Sequence, residues 1–171
     1  MGHIIKTGVC PKVTPEPNFD MGFFSGQWNA IYETLQLKEC LRYDFIYNAG
    51  TSKHELKIKN PLLTLTGTLK VKDTNLPANM TLKFPIIPKS VLTVVTTDNV
   101  TYAGIFDCYD FIYNLTQFHR QSVTFLARAV SLSQTIVDTM NATFNSFPGV
   151  CNVAGMPPDS MTMTTTIIIY F

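Results

Sequence analysis

Four cysteines, three histidines and one tryptophan are the residues from which this 171-residue chain could build chemistry. Cys10, Cys40, Cys108 and Cys151 are widely spaced and contain no CxxC pair. That spacing disfavours a zinc site and fits two disulfides formed in an oxidising compartment. His3 and His119 read as terminal and loop residues, which leaves His54 as the histidine placed where it could face a ligand. No GxSxG, HExxH or phosphate-loop pattern is present, so the chain carries no recognisable nucleophile, metal or nucleotide signature. Neither catalysis nor a metal is expected. Four N-glycosylation sequons, at Asn79, Asn99, Asn114 and Asn141, point instead to a secreted glycoprotein. Met1-Gly-His-Ile-Ile contains no h-region, so a secretory leader is expected to have been removed already.

Composition narrows the classes further. Hydrophobic residues make up 46% and charged residues 15%, with a net charge of +1. The chain is too apolar to be disordered and has no basic run to bind nucleic acid or an anionic membrane. No stretch reaches the length of a membrane span. A homo-oligomer stays open.

The elements that would position candidate residues are short strands. After an irregular lead-in over residues 1–25, they are expected at 28–35, 41–48, 53–59, 63–72, 80–87, 91–97, 101–110 and 121–129. This spacing is that of an all-β sandwich or barrel. Leu63, Leu65, Gly67, Leu69 and Val71 alternate with threonines and lysines, so one face of that strand is apolar. Tyr43, Phe45 and Tyr47 share a face, as do His54, Leu56, Ile58 and Asn60. A helix is expected within 131–146, where Leu132, Ile136, Met140 and Phe144 form a stripe. Ser131 or Ser133 would cap it, and Pro148-Gly149 would stop it. The tail over 147–171 adds a terminal strand at 161–170, and no linker divides the chain, so one domain covers residues 1–171.

Three motifs in order carry a family resemblance: Asn18-Phe-Asp with Gly26-Gln-Trp28, then Thr97-Asp98 followed by Tyr102, then Phe125-Leu-Ala-Arg128. With Cys10-Pro11 and Val137-Asp138, they make the chain resemble a lipocalin of the apolipoprotein D-like and bilin-binding branch. The resemblance implies an eight-stranded antiparallel up-and-down calyx barrel with one C-terminal α-helix packed outside and a short terminal strand. It implies that Arg128 covers Trp28 and closes one end, a stack worth roughly 1–2 kcal/mol when desolvated. It also implies that Cys10 pairs with Cys108 and Cys40 with Cys151.

The same resemblance makes Tyr43, Phe45, Tyr47, His54, Leu56, Ile58, Asn60, Leu65 and Leu69 a ligand wall, where an unaided reading would leave packed core as the alternative. Asn60 would orient a ligand's polar end, and Thr124 stands where the branch has a pocket tryptophan. The segment between Trp28 and Cys40 is shorter than in the branch, which predicts a trimmed lid. Family topology sets Asn114 at the open end, Asn79 and Asn99 near the closed end, and Asn141 on the helix flank. The isomerising members of the family use a free pocket thiol, which four paired cysteines would not supply. The expected activity is non-covalent binding of a small hydrophobic ligand such as a fatty acid or sterol, for transport or storage. A biliverdin-like tetrapyrrole or a carotenoid is the pigment alternative, and a storage protein with an incidental cavity is the third reading.

Overall fold

Alternating polar and apolar residues become nine strands and two helices among the described residues of the computed structural model, which are 3–34, 41–48, 53–151 and 153. The strands are β1 (Ile4–Thr7), β2 (Gly26–Glu33), β3 (Arg42–Asn48), β4 (Lys53–Lys59), β5 (Thr64–Val71), β6 (Asn79–Lys83), β7 (Ser90–Thr97), β8 (Tyr102–Tyr113) and β9 (Thr116–Ala127). The helices are α1 (Met21–Phe24) and α2 (Gln134–Asn145). From β2 to β9 each strand is antiparallel to the next, and β9 pairs back with β2. Closure gives the expected eight-stranded up-and-down barrel and removes the free sheet edges.

One strand formed where the sequence reads as irregular. Ile4 to Thr7 pair with Gln121 to Phe118, while β2 occupies residues 124 to 127 of the same β9 edge. The first strand thus covers hydrogen-bonding groups of β9 that β2 leaves unpaired. Its four residues are too few to show alternation. The predicted terminal strand at 161–170 lies outside the described residues.

Strand lengths also differ from expectation for local reasons. β8 and β9 run twelve residues each and meet in a hairpin at Asn114 and Leu115, both with positive φ, 47° and 64°. A two-residue turn of that kind matches the strand twist. β6 stops at Lys83, ahead of Pro85 and Pro88, which cannot donate to a ladder.

Two apolar clusters result. The first fills the barrel with Trp28, Tyr43, Phe45, Leu56, Leu69, Met80, Leu82, Leu92, Ile105 and Leu126, together with Phe24 from α1. The second lies between the outer wall and α2, and joins Val95, Phe106, Val123 and Phe125 to Val137, Met140 and Phe144. Ser133 caps α2 through the Ile136 N–H, as the sequence allows. Val137, Met140 and Phe144 form its buried face, with Ile136 only half-buried. Gly104 is what lets the helix dock, since a Cβ there would lie 2.6 Å from the Phe144 ring.

Register irregularities decide which residues point inward. β2 shifts between Ala30 and Tyr32, so Trp28 and Ala30 face the barrel, Tyr32 turns outward to Phe125, and Glu33 turns in opposite Thr124. β7 shifts between Val94 and Thr96, so Thr96 follows Val95 onto the outer side, opposite Gly104. Each bulge inverts the parity that follows it.

Candidate functional site

Antiparallel connectivity gives the barrel two distinct ends. At one end, α1 and the turn between β7 and β8 meet the start of β2. The Trp28 indole donates to the Phe24 carbonyl at 2.8 Å, and the Arg128 guanidinium carbon sits 3.9 Å from the indole ring centroid. Arg128 also donates to the carbonyls of Gln27, Phe23, Phe24 and Ser25 at 2.8–3.2 Å. Gly26, with φ of +106°, is required there because a Cβ would stand 3.0 Å from Arg128 Nη1. The stack expected from the resemblance is therefore present.

Thr97 and Asp98 tie this end together. The Asp98 carboxylate accepts from the backbone N–H groups of Val100, Thr101 and Tyr102 and from the Thr101 hydroxyl. Desolvation opposes these bonds, but together they hold the carboxyl below its usual range. Thr97 Oγ1 donates to the Tyr102 carbonyl at 2.6 Å. Asn99 donates to the Asn18 carbonyl at 2.8 Å and accepts from the Asp20 N–H at 3.0 Å, so this sequon asparagine clamps the lead-in. The three motifs converge on one structural plug.

The candidate wall divides by height. Tyr43, Phe45, Leu56, Ile58 and Leu69 are buried members of the inner cluster, and Leu65 packs partly against it. Phe45 belongs to the plug, its ring 4.8 Å from Phe24. Tyr47 and His54 also lie at the closed end, 4.8 Å apart between ring centroids, with Tyr47 52% exposed. Burial lowers the His54 imidazole from its ordinary value, and its Nδ1 is buried without a partner. Asn60 sits at the opposite end, in the β4–β5 turn, where its Oδ1 accepts from Leu62 N and Leu63 N at 2.9 and 2.6 Å. The expected residues are thus not one surface. Some form the plug, some the mid-barrel wall, and Asn60 the far rim.

That far end holds a polar cluster that strand alternation alone did not reveal. Glu33, Asp107, Ser90, Ser122 and Thr124 are all buried. Tyr43 Oη donates to Glu33 Oε1 at 3.1 Å and is also bonded to the Thr124 hydroxyl. Burial, then the nearby Glu33 charge, drive the Tyr43 phenol well above its usual range. Burial pushes the Asp107 carboxyl up to about 6, against opposing pulls from the Ser90 hydroxyl and the Arg120 charge. Asp107 Oδ1 is buried without a hydrogen-bond partner. A cavity of about 30 Å³ lies beside it, lined by His3, Phe84, Ile87, Pro88, Ser90, Asp107, Tyr109 and Arg120.

His3 faces this cavity, contrary to its reading as a terminal residue, because β1 carries it alongside β9. Burial and then Arg120 push its imidazole down to about 3. His119 is likewise no loop residue: it is buried in β9, its Nδ1 3.1 Å from the Gly8 carbonyl. The bulge in β2 hid Glu33. Asp107 was visible in principle, as a charged residue on the same strand parity as Ala103 and Ile105.

The turns at this end present Leu62, Leu63, Ile86, Ile112, Tyr113 and Leu115, each more than half exposed. Outside the barrel, a larger cavity of about 700 Å³ lies between the Cys10–Pro15 segment and the outer faces of β6, β7 and β8, with Lys12, Lys72, Lys89 and Asn79 on its border. Among the sequons, Asn114 occupies the tip of the β8–β9 hairpin and Asn141 lies on α2.

Cys10 and Cys108 form a disulfide that fastens the lead-in to β8. Cys151 is buried in the outer cluster, its Sγ 3.3 Å from Thr34 Oγ1, and has no disulfide partner among the described residues. Cys40 and the expected trimmed lid lie outside the described residues, so the second pairing and the lid stay expectations. No helix among the described residues is long and apolar enough to cross a membrane.

No protein-family model matches the chain. It is 24% identical to mouse apolipoprotein D over 74% of this chain and 70% of that protein. Apocrustacyanin C2 superposes with a TM-score of 0.64 at 19% identity, covering 83% of each chain. Insecticyanin from the tobacco hornworm Manduca sexta superposes with a TM-score of 0.62 at 22% identity, covering 90% of this chain and 94% of that one. With the motifs gathered at the Trp28 plug and the barrel closed as β2 to β9, these similarities show the lipocalin fold and a likeness to apolipoprotein D.

Proposed function

We propose that this protein binds a small hydrophobic molecule non-covalently at the unplugged end of its barrel and carries or stores it outside the cell. The observation that supports this most is the asymmetry of the barrel. One end is sealed by Arg128 over Trp28, while the other has apolar side chains on three turns around a small unfilled interior space. Burial of a ligand's apolar surface supplies the affinity, roughly 25 cal/mol per Å² removed from water. Sterols and similar lipids are the class this reading favours, entering past the exposed apolar turns toward Phe84, Ile87 and Pro88, which border the interior space. Binding without catalysis agrees with a family resemblance built on structural motifs, and with Cys151 lying outside the barrel wall. Secretion and glycosylation are supported by the Cys10–Cys108 disulfide and the four sequons.

The packing of the barrel supports a second reading. Trp28, Tyr43, Phe45, Leu56, Met80, Leu82, Leu92, Ile105 and Leu126 are each less than 2% exposed, as in a filled core. A structural or storage protein would need no more. A flat pigment is less well accommodated, because the Tyr43 and Phe45 rings are already enclosed by protein.

Protein purified from its native source and extracted with organic solvent separates the three. Stoichiometric lipid in the extract, by mass spectrometry, supports carriage. Visible absorption bands before extraction mark a bilin or carotenoid, and an empty, colourless protein leaves the structural role.

A further inference from the structure

We propose that the ligand is headed by a hydrogen-bond donor, an ammonium or a hydroxyl, seated against Asp107 at the unplugged end, and that carboxylate-headed ligands are selected against. The proposal rests on the binding function above and narrows it to a chemical class.

Asp107 is 7% exposed, yet its Oδ1 has no partner, whereas buried acceptors in folded proteins are almost always bonded. The same side chain borders a cavity of about 30 Å³. That is room for one water-sized group, the size of an –OH or –NH₃⁺ terminus. Shape and chemistry therefore agree at one point: an acceptor in search of a donor, with space for that donor.

The charges facing Asp107 define which head group is tolerated. From β9 comes Arg120, whose guanidinium carbon lies 5.9 Å from the Tyr109 ring centroid of β8. No ion pair between Arg120 and Asp107 occurs within 4.0 Å among the described residues. From β2 comes Glu33, already engaged by Tyr43 of β3. His3, before β1, is neutral at physiological pH, since burial holds its imidazole at about 3. A carboxylate head would bring a second negative charge against the Asp107 carboxylate in a region of weak dielectric screening. An ammonium would meet attraction there, and a hydroxyl would satisfy Oδ1 without adding charge.

Competition binding of dodecylamine, 1-dodecanol and dodecanoate against a fluorescent acyl probe, on the intact protein at about pH 7.5, tests this directly. The amine and the alcohol are expected to bind at least about tenfold tighter than the carboxylate. Asp107→Asn should erase most of the amine's advantage while sparing the alcohol, and Asp107→Leu should weaken both, with circular dichroism confirming that each variant is folded. In the unmodified protein, the amine's advantage should also shrink as the pH falls below about 6, which needs no variant. Dodecanoate binding as tightly as the others, or a preference that survives in Asp107→Asn and at low pH, overturns the head-group assignment and leaves the apolar-ligand function standing. Failure of all three probes to bind overturns both.

Discussion

At the scale of single residues, Arg128 is the most heavily engaged side chain of the barrel end, stacked on Trp28 and bonded to four carbonyls. A lysine offers neither the planar stack nor the fork of donors. Arg128→Lys is expected to lower unfolding stability by about 1–3 kcal/mol in urea titrations followed by Trp28 emission. A change inside the error of the titration would mean that the stack merely decorates the end. Asp107 makes the opposite prediction. Its folded pKa, about 6, lies above the ordinary carboxylate value, so its protonated form is the one that folding favours. The group's contribution is most favourable at low pH and is lost as the pH rises through about 6. Asp107→Asn should therefore stabilise the protein by on the order of 2 kcal/mol at about pH 8, and the gain should vanish at about pH 4. Equal effects at both pH values would contradict the burial argument. Trp28, Arg128, Thr97 and Asp98 were legible from sequence because their motif spacing is distinctive. Glu33 was not, because a one-residue bulge in β2 reversed its direction, and a bulge leaves little trace in an alternation pattern.

At the scale of elements, the contact between Gly104 and Phe144 sets how closely α2 approaches β8. A Cβ at Gly104 would also come within 3.0 Å of Thr96 Cγ2, so neither neighbour can simply step aside. Gly104→Ala is expected to cost about 1–3 kcal/mol and to raise amide hydrogen exchange across α2 more than across β3 to β5. Uniform exchange changes would indicate that the helix is not held by this contact. The existence of α2 and of the barrel strands could be read from periodicity, and the helix began at the predicted serine cap. Boundaries were less legible. The β8–β9 hairpin depends on Asn114 and Leu115 both adopting positive φ, which leucine rarely does. The first strand exists only because β9 leaves an edge to pair with, a tertiary fact that four residues of sequence do not express.

At the scale of the whole molecule, the Cys10–Cys108 bridge ties the lead-in to β8 across a sequence separation of 98 residues. Chain entropy sets its contribution at on the order of 4–5 kcal/mol. A Cys10→Ser/Cys108→Ser variant is expected to lose a large part of that stability in chemical denaturation while keeping the far-ultraviolet spectrum of a β-barrel. The vessel was far more legible than its contents. Topology follows from motifs and alternation, whereas the polar cluster and the split of the candidate wall between plug, middle and rim follow from shear and bulges around a closed barrel. The central claim, that a hydrophobic ligand enters the unplugged end of the barrel, is tested most directly by methyl NMR of the intact protein titrated with 1-dodecanol. Saturable shifts are predicted at Ile87, which lines the inner space, and at Ile58, Leu65, Leu82 and Leu92 of the inner cluster, with Val13, Leu76 and Val91 of the outer cavity unmoved. Shifts confined to the outer-cavity methyls, or no saturable shift at all, would contradict it.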